Sequence, residues 1–97
     1  MTPRDNGKSW ERKVAGDFDT TRTGPTGTNS VDINYAPVGI ECKYQGRLSL
    51  RSDDLAQAKR NANGKPWALA LKQRGGRVKL MVLDYDHGVY LLRKEYG

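Results

Sequence analysis

Ninety-seven residues, 36 % hydrophobic and 29 % charged, suit one small folded domain and exclude a chain too polar to collapse. A single cysteine, Cys42, excludes an intramolecular disulfide framework, and no apolar run is long enough to span a membrane. Seventeen Lys and Arg against eleven Asp and Glu leave a net charge of +6, which favours a polyanionic partner.

The charge is unevenly distributed. From Lys43 through Lys79 the only acids are Asp53 and Asp54, whereas Glu11, Asp17, Asp19, Asp32 and Glu41 fall in the first half. One region is suited to a cation and the other to phosphate. Without a signal-peptide core at the N-terminus, the expected setting is intracellular, cytoplasmic or nucleoid-associated.

In chain order, residues 1–8 read as a flexible lead-in to a single domain spanning 1–97. Trp10, Val14 and Phe18 recur every four residues behind Ser9, a capping residue type, and predict a helix over about 9–17. Glu11 borders its apolar stripe and suits the first turn of the helix. Thr20–Thr23 predicts a short edge strand, and Gly24, Pro25, Gly27 and Asn29 predict a mobile turn after it. No lysine followed by Ser or Thr stands behind those glycines, so the segment is not a phosphate-cradling P-loop.

The next stretch alternates most clearly. Val31, Ile33 and Tyr35 interleave with Asp32 and Asn34; Val38, Ile40 and Cys42 interleave with Gly39, Glu41 and Lys43. Two strands joined tightly around residues 35–37 would bury the first set of each. Glu41 and Lys43 then share one face about 6.5–7 Å apart along the strand, with Asp32 brought close to Glu41.

Residues 53–63 predict a second helix, capped by Ser52, with Asp53 and Asp54 at its positive end. Leu55, Ala58 and Ala62 form its apolar stripe, Gln57 lies alongside, and Gly64 and Pro66 end it. A strand over 66–71, a turn over 73–77 and a strand over 78–85 follow. Asp86-His87-Gly88 reads as a hairpin leading into a last strand at Val89–Leu92. Helix, strands, helix, strands is the order of a mixed α/β domain.

Two close carboxylates can hold Mg²⁺, with water and a phosphate completing its shell. Asp32 and Glu41 are the ligand candidates, and the Cys42 peptide carbonyl is a third oxygen. Lys43 is placed to orient a water or to stabilise charge on phosphorus. The same three side chains would also suit a plain solvated strand face. Arg47, Arg51, Lys59, Arg60, Arg74, Arg77 and Lys79 are candidate DNA phosphate contacts. His87 reads as a turn residue and the Cys42 thiol as a core group. Trp10, Trp67, Tyr35 and Tyr90 suit core or interface positions.

The ordered set Glu11, Val31-Asp32, Ile40-Glu41-Cys42-Lys43 and Leu55-Ala56-Gln57-Ala58-Lys59 resembles the PD-(D/E)xK nuclease superfamily, in particular its Holliday-junction-resolvase-like branch. Val31 stands where the motif usually has proline. The resemblance implies an α/β, restriction-endonuclease-like fold with a mixed β-sheet flanked by helices. It also implies DNA cleavage with Mg²⁺, for which Mn²⁺ would substitute. Asp32 and Glu41 would carry the metal and Lys43 would act in catalysis. Glu11 would be an accessory acid and metal ligand, and Gln57 an auxiliary site residue. Members of this branch act as symmetric dimers on branched DNA, so a homodimer resolving four-way junctions is expected. A nicking or repair endonuclease is the nearest alternative, followed by an inactive DNA-binding or assembly protein.

Overall fold

The computed structural model describes residues 3–23 and 31–97. Its elements follow in the order α1 (Pro3–Asp17), β1 (Gly39–Gln45), α2 (Ser52–Ala62), β2 (Trp67–Gln73), β3 (Lys79–Leu83) and α3 (Tyr85–Tyr96). They make a small α/β domain around a mixed sheet of order β1-β2-β3. β1 and β2 run parallel, which a tight turn cannot achieve, and α2 is the crossover between them. β2 and β3 form an antiparallel hairpin.

Alternation along the strands sets the layers. Ile40 packs with Trp10, Val14 and Ala15 of α1 and with Ala68 and Ala70 of β2. The neighbouring positions Glu41 and Lys43 turn to the other face and meet α2, where Leu69 and Leu71 pack on Ala58. Ala68 and Ala70 are weak strand formers, but small side chains there make room for the Trp10 indole. Its Nε1–H donates to the Ala70 carbonyl at 2.9 Å, so the ring is buried with its one donor satisfied.

The helix on the other face comes unusually near the sheet at Gly39. A Cβ at that position would lie 2.6 Å from the Ala62 Cβ and 2.7 Å from its Cα. Only glycine permits this approach, and the approach determines how the last turn of α2 sits over β1. α2 ends immediately afterwards, with Asn63 left-handed at φ 52°.

Several elements differ from expectation. α1 is described over Pro3–Asp17 rather than about 9–17, so most of the lead-in expected over residues 1–8 is helical. Ser52 lies inside α2; the extended residue before the helix is Arg51, with no side-chain cap bond. Of the strand expected over 31–35, a single antiparallel bridge from Ile33 to Arg22 is present, so Thr20–Thr23 and 32–34 form a short pairing of their own. The turn expected at Gly24–Asn29 lies outside the described residues.

The hairpin at 86–88 and the strand at 89–92 are overturned: this stretch is the helix α3. Tyr85, Val89, Leu92 and Tyr96 recur at helical spacing. Asp86 in the first turn and Arg93 and Lys94 in the last complement the helix dipole. Gly88, read as a turn residue, is tolerated within the helix at a cost of about 1 kcal/mol relative to alanine. Among the described residues no helix is long and apolar enough to cross a membrane.

Gly39→Ala should lower stability by about 1–3 kcal/mol in urea unfolding, because α2 must shift to admit one methyl group. Gly46→Ala, where an added Cβ meets no atom within 4 Å, should stay within about 0.5 kcal/mol of the parent. Equal stability of the two variants would contradict the close approach.

Candidate active site

The site is assembled at the outer edge of β1. Leaving α1, the chain reverses at Asp19, left-handed at φ 55°, and residues 20–23 then run antiparallel to 32–34. The Thr23 N–H donates to the Asp32 carbonyl at 2.8 Å, and the Asn34 N–H donates to the Thr21 carbonyl at 3.0 Å. Thr20 Oγ1 donates to the Asn34 carbonyl at 2.6 Å. The segment fastened in this way lays Asp32 against β1.

Two bonds attach Asp32 to the strand. Its N–H donates to the Ile40 carbonyl at 3.1 Å, and its Oδ2 accepts the Cys42 N–H at 2.8 Å. Ile40 and Cys42 therefore direct their peptide groups away from β2, since the N–H and C=O of a strand residue project to the same side. The Cys42 carbonyl accordingly faces the edge where Asp32 lies.

Glu41 is the buried member of the set, only 3 % exposed. Its Oε1 accepts a hydrogen bond from Asn61 Nδ2 at 2.9 Å. Burial raises its pKa from the usual 4.5 to about 7. The Asn61 amide opposes the rise, the Asp32 carboxylate beside it adds to the rise, and the Lys43 ammonium offsets part of it. A carboxylate kept out of water next to another carboxylate holds its negative charge poorly, and a cation would relieve both.

Lys43 follows on the same face. Its Nζ donates to Gln57 Oε1 at 3.3 Å and lies 3.7 Å from Asp54 Oδ1, so α2 holds the ammonium from two positions. Glu11 sits on the other side of the edge. Arg22 Nε lies 3.1 Å from its Oε1 in a partly buried pair, so an arginine is already bound at the accessory acid. The Cys42 thiol is pushed well above its ordinary pKa, first by burial and then by Asp32, Glu11 and Glu41 together. It is thus a poor thiolate, and it packs beside the α1 core cluster.

Glu11, Asp32, Glu41, Lys43 and Gln57 are thus gathered around one strand edge. Three further participants were not singled out from the sequence: Asn61, Asp54 and Arg22. Asp54, Gln57 and Asn61 recur at i, i+3 and i+7, which puts a polar row on one side of α2 beside Ala58 and Ala62. That row was the available signal. Arg22 carried none, because its partner lies eleven residues away across a turn.

The basic candidates are all exposed. Arg47 and Arg51 stand between β1 and α2, and Lys59 and Arg60 in the last turn of α2. Arg74 lies in the β2–β3 turn, which is fastened to the end of β1 through the Arg74 N–H and the Gln45 carbonyl at 2.6 Å. The Arg74 guanidinium and the Lys72 ammonium lie 5.6 Å and 5.9 Å from the Tyr44 ring centre, and Arg77 follows in the same turn. Lys79 is separated from this group: it lines a groove with Trp10, Val14, Phe18 and Leu80 on the α1 side of the sheet. His87, expected in a turn, lies in α3 with Nδ1 buried and unpaired among the described residues. Tyr90 is 60 % exposed rather than in the core. Among the described residues, no three or more His, Cys, Asp or Glu converge as a metal-holding group.

The raised pKa of Glu41 has a definite sign in stability. The folded chain binds this proton more tightly than the unfolded chain, so the stabilisation is complete below pH 4.5 and is lost as pH rises through about 7. In chelator, stability relative to Glu41→Gln should fall by roughly 3 kcal/mol across that window and then level off. A flat difference between parent and variant in pH-dependent urea unfolding would contradict the buried acid.

No family model, curated protein or solved structure matches this chain. What the site can do therefore rests on its own residues and their geometry.

Proposed function

We propose that this chain is a divalent-metal-dependent DNA endonuclease with a restriction-endonuclease-like fold, and that four-way junctions are its preferred substrate. The observation that carries the reading is the buried Glu41 carboxylate beside Asp32, with Lys43 pinned over the same face. A strand that only needed solubility would not bury a glutamate and then raise its pKa. A plain solvated face is the weaker reading for that reason.

The donor set fits Mg²⁺. The Asn61 bond uses one oxygen of Glu41 and the Cys42 N–H uses one oxygen of Asp32. Asp32, Glu41 and the Cys42 carbonyl would hold the ion, and Glu11 would join them only by giving up Arg22. Mg²⁺ commonly takes one or two carboxylates and fills its remaining positions with water and substrate phosphate. When bound, the ion polarises the phosphodiester and lowers the pKa of an adjacent water.

The chain's own groups do the rest. Asn61 orients Glu41 through its amide. Gln57 and Asp54 hold the Lys43 ammonium, whose three donors exceed what those two acceptors use, so it can also donate to a phosphate oxygen or an attacking water. The exposed bases on α2 and in the β2–β3 turn supply the phosphate contacts. The preference for branched DNA rests on the PD-(D/E)xK-like residue order.

The test is cleavage of four-way, flap, gapped, nicked and linear DNA with Mg²⁺ or Mn²⁺, mapping each cut. Paired symmetric cuts confined to the four-way junction are expected, and equal cutting of linear duplex would reject the junction preference. Asp32→Ala, Glu41→Ala and Lys43→Ala should each lose at least about a hundredfold in rate while remaining folded. Full activity in all three would remove the proposed centre, and DNA binding in chelator without cleavage under any condition would identify a binding protein instead. Asn61→Ala should raise the Mg²⁺ concentration needed for half-maximal rate by roughly 10–100-fold, the usual effect of losing a group that orients a metal ligand.

A further inference from the structure

Where the β2–β3 hairpin turns, cations gather without acids. Tyr44 of β1 is in register with Lys72 of β2, and Lys72 with Lys79 of β3, so the three side chains share one face. Like charges set directly opposite one another, as Lys72 and Lys79 are, destabilise a sheet. The Arg74 guanidinium adds a third cation, 5.6 Å from the centre of the Tyr44 ring, with the Lys72 ammonium at 5.9 Å. Lys13, Arg22 and Lys43 each have a carboxylate partner, but among the described residues Lys72, Arg74 and Lys79 have none. Asp17, which lines the same groove as Lys79, is held by Lys13 at 2.7 Å.

Backbone bonds hold this cluster in place. The Arg74 N–H donates to the Gln45 carbonyl, and the Gly76 N–H donates to the Gln73 carbonyl at 3.2 Å, which fixes the turn against the end of β1. Lys72 Nζ uses one of its three donors on the Gly76 carbonyl at 3.1 Å and keeps two for another acceptor. Tyr44 packs on the α1 cluster but is only partly buried.

Cations without acids around a partly open ring suit a ligand that offers an anion beside a flat π-face, and a nucleotide has both. In a duplex the base faces are covered by their neighbours, so only an unpaired base can lie on a side-chain ring. Arg77 in the same turn and Arg47 just past β1 are both exposed, which favours a strand with several phosphates over a single nucleotide. We propose that Tyr44, Lys72 and Arg74 form a subsite for an unpaired DNA strand, with a base stacked on Tyr44 and its phosphate held between the ammonium and the guanidinium. Tyr44 follows Lys43 along β1 and so faces the other side of the sheet, away from the Lys43 ammonium. That the strand is DNA rests on the nuclease reading; the subsite does not, and a chain that cuts nothing would still hold the strand.

Fluorescence anisotropy in chelator reads the subsite without cleavage, so its failure leaves the metal site untouched. A single-stranded oligothymidine of about ten nucleotides should bind, with Tyr44→Leu weakening it about tenfold and Tyr44→Phe changing it by less than about twofold. Equal binding by the parent and Tyr44→Leu overturns the stacking role. Arg74→Gln should lower the slope of log affinity against log salt by about 0.7, the loss of one phosphate contact on a single strand, and an unchanged slope overturns the phosphate role. Because Tyr44 also packs on the core, photo-cross-linking of the parent provides an arm that needs no variant. An iodouracil base in the oligonucleotide should cross-link to Tyr44, mapped by mass spectrometry, and cross-links confined to other residues overturn the subsite. Thymidine monophosphate competing as strongly as the oligonucleotide overturns the strand, and a preference for oligouridine overturns DNA.

Discussion

A carboxylate that is 97 % removed from water cannot be left to itself, and the architecture around Glu41 follows from that constraint. Its charge is costly to bury, and another carboxylate next to it increases the cost. What compensates is specific: one amide from Asn61, one ammonium from Lys43, and a proton retained up to about pH 7. Asn61 can reach only because α2 lies close to β1, and α2 lies close because residue 39 has no side chain. A glycine at the start of the strand thus governs the electrostatics two residues further along.

Asp32 solves a different problem. The outer edge of β1 presents unpaired peptide groups, which an edge strand must cover or expose. Asp32 covers two of them, with its own N–H on Ile40 and its carboxylate on the Cys42 N–H. The bond that closes the edge also brings the carboxylate beside Glu41. Structural satisfaction and the acidic pair are a single arrangement, so removing Asp32 would disturb both. For that reason the loss of activity on its removal carries weight only together with retention of fold.

Much of this arrangement was legible in the chain because period-two alternation is strong there. Ile40 and Cys42 against Glu41 and Lys43 identifies the strand and its faces, and Leu55, Ala58 and Ala62 identify the helix that covers one of them. The acids and the lysine therefore group together on the alternation alone. Asn61 and Asp54 escaped because polar residues on a helix usually face water, and only the depth of α2 at Gly39 turns them inward. α3 was misread for a local reason: Asp-His-Gly is strong turn chemistry, and Val-Tyr-Leu-Leu suits a strand as well as a helix. The wider Tyr85-to-Tyr96 spacing and the Asp86/Arg93 charges settle in favour of a helix, but both require a longer window than a hairpin does.

The two ends of the sheet are treated in opposite ways. At β1 the edge is closed by Asp32 and its segment, and the polar groups there are tied by named bonds. Beyond β3 the chain runs directly into a helix whose apolar residues are exposed, and Leu80 and Met81 of the strand itself are each 47 % exposed. A protein with a core this small gains little by hiding the six large apolar side chains of this helix less well than its acid, unless that surface is covered in use. The acidic edge needs access to water and ions and so cannot lie beneath a partner, whereas α3 gains from being covered. Separating these requirements lets one chain keep an open polar edge while presenting a sticky helix elsewhere. Segregation of this kind is what an association surface requires if it is not to obstruct the site.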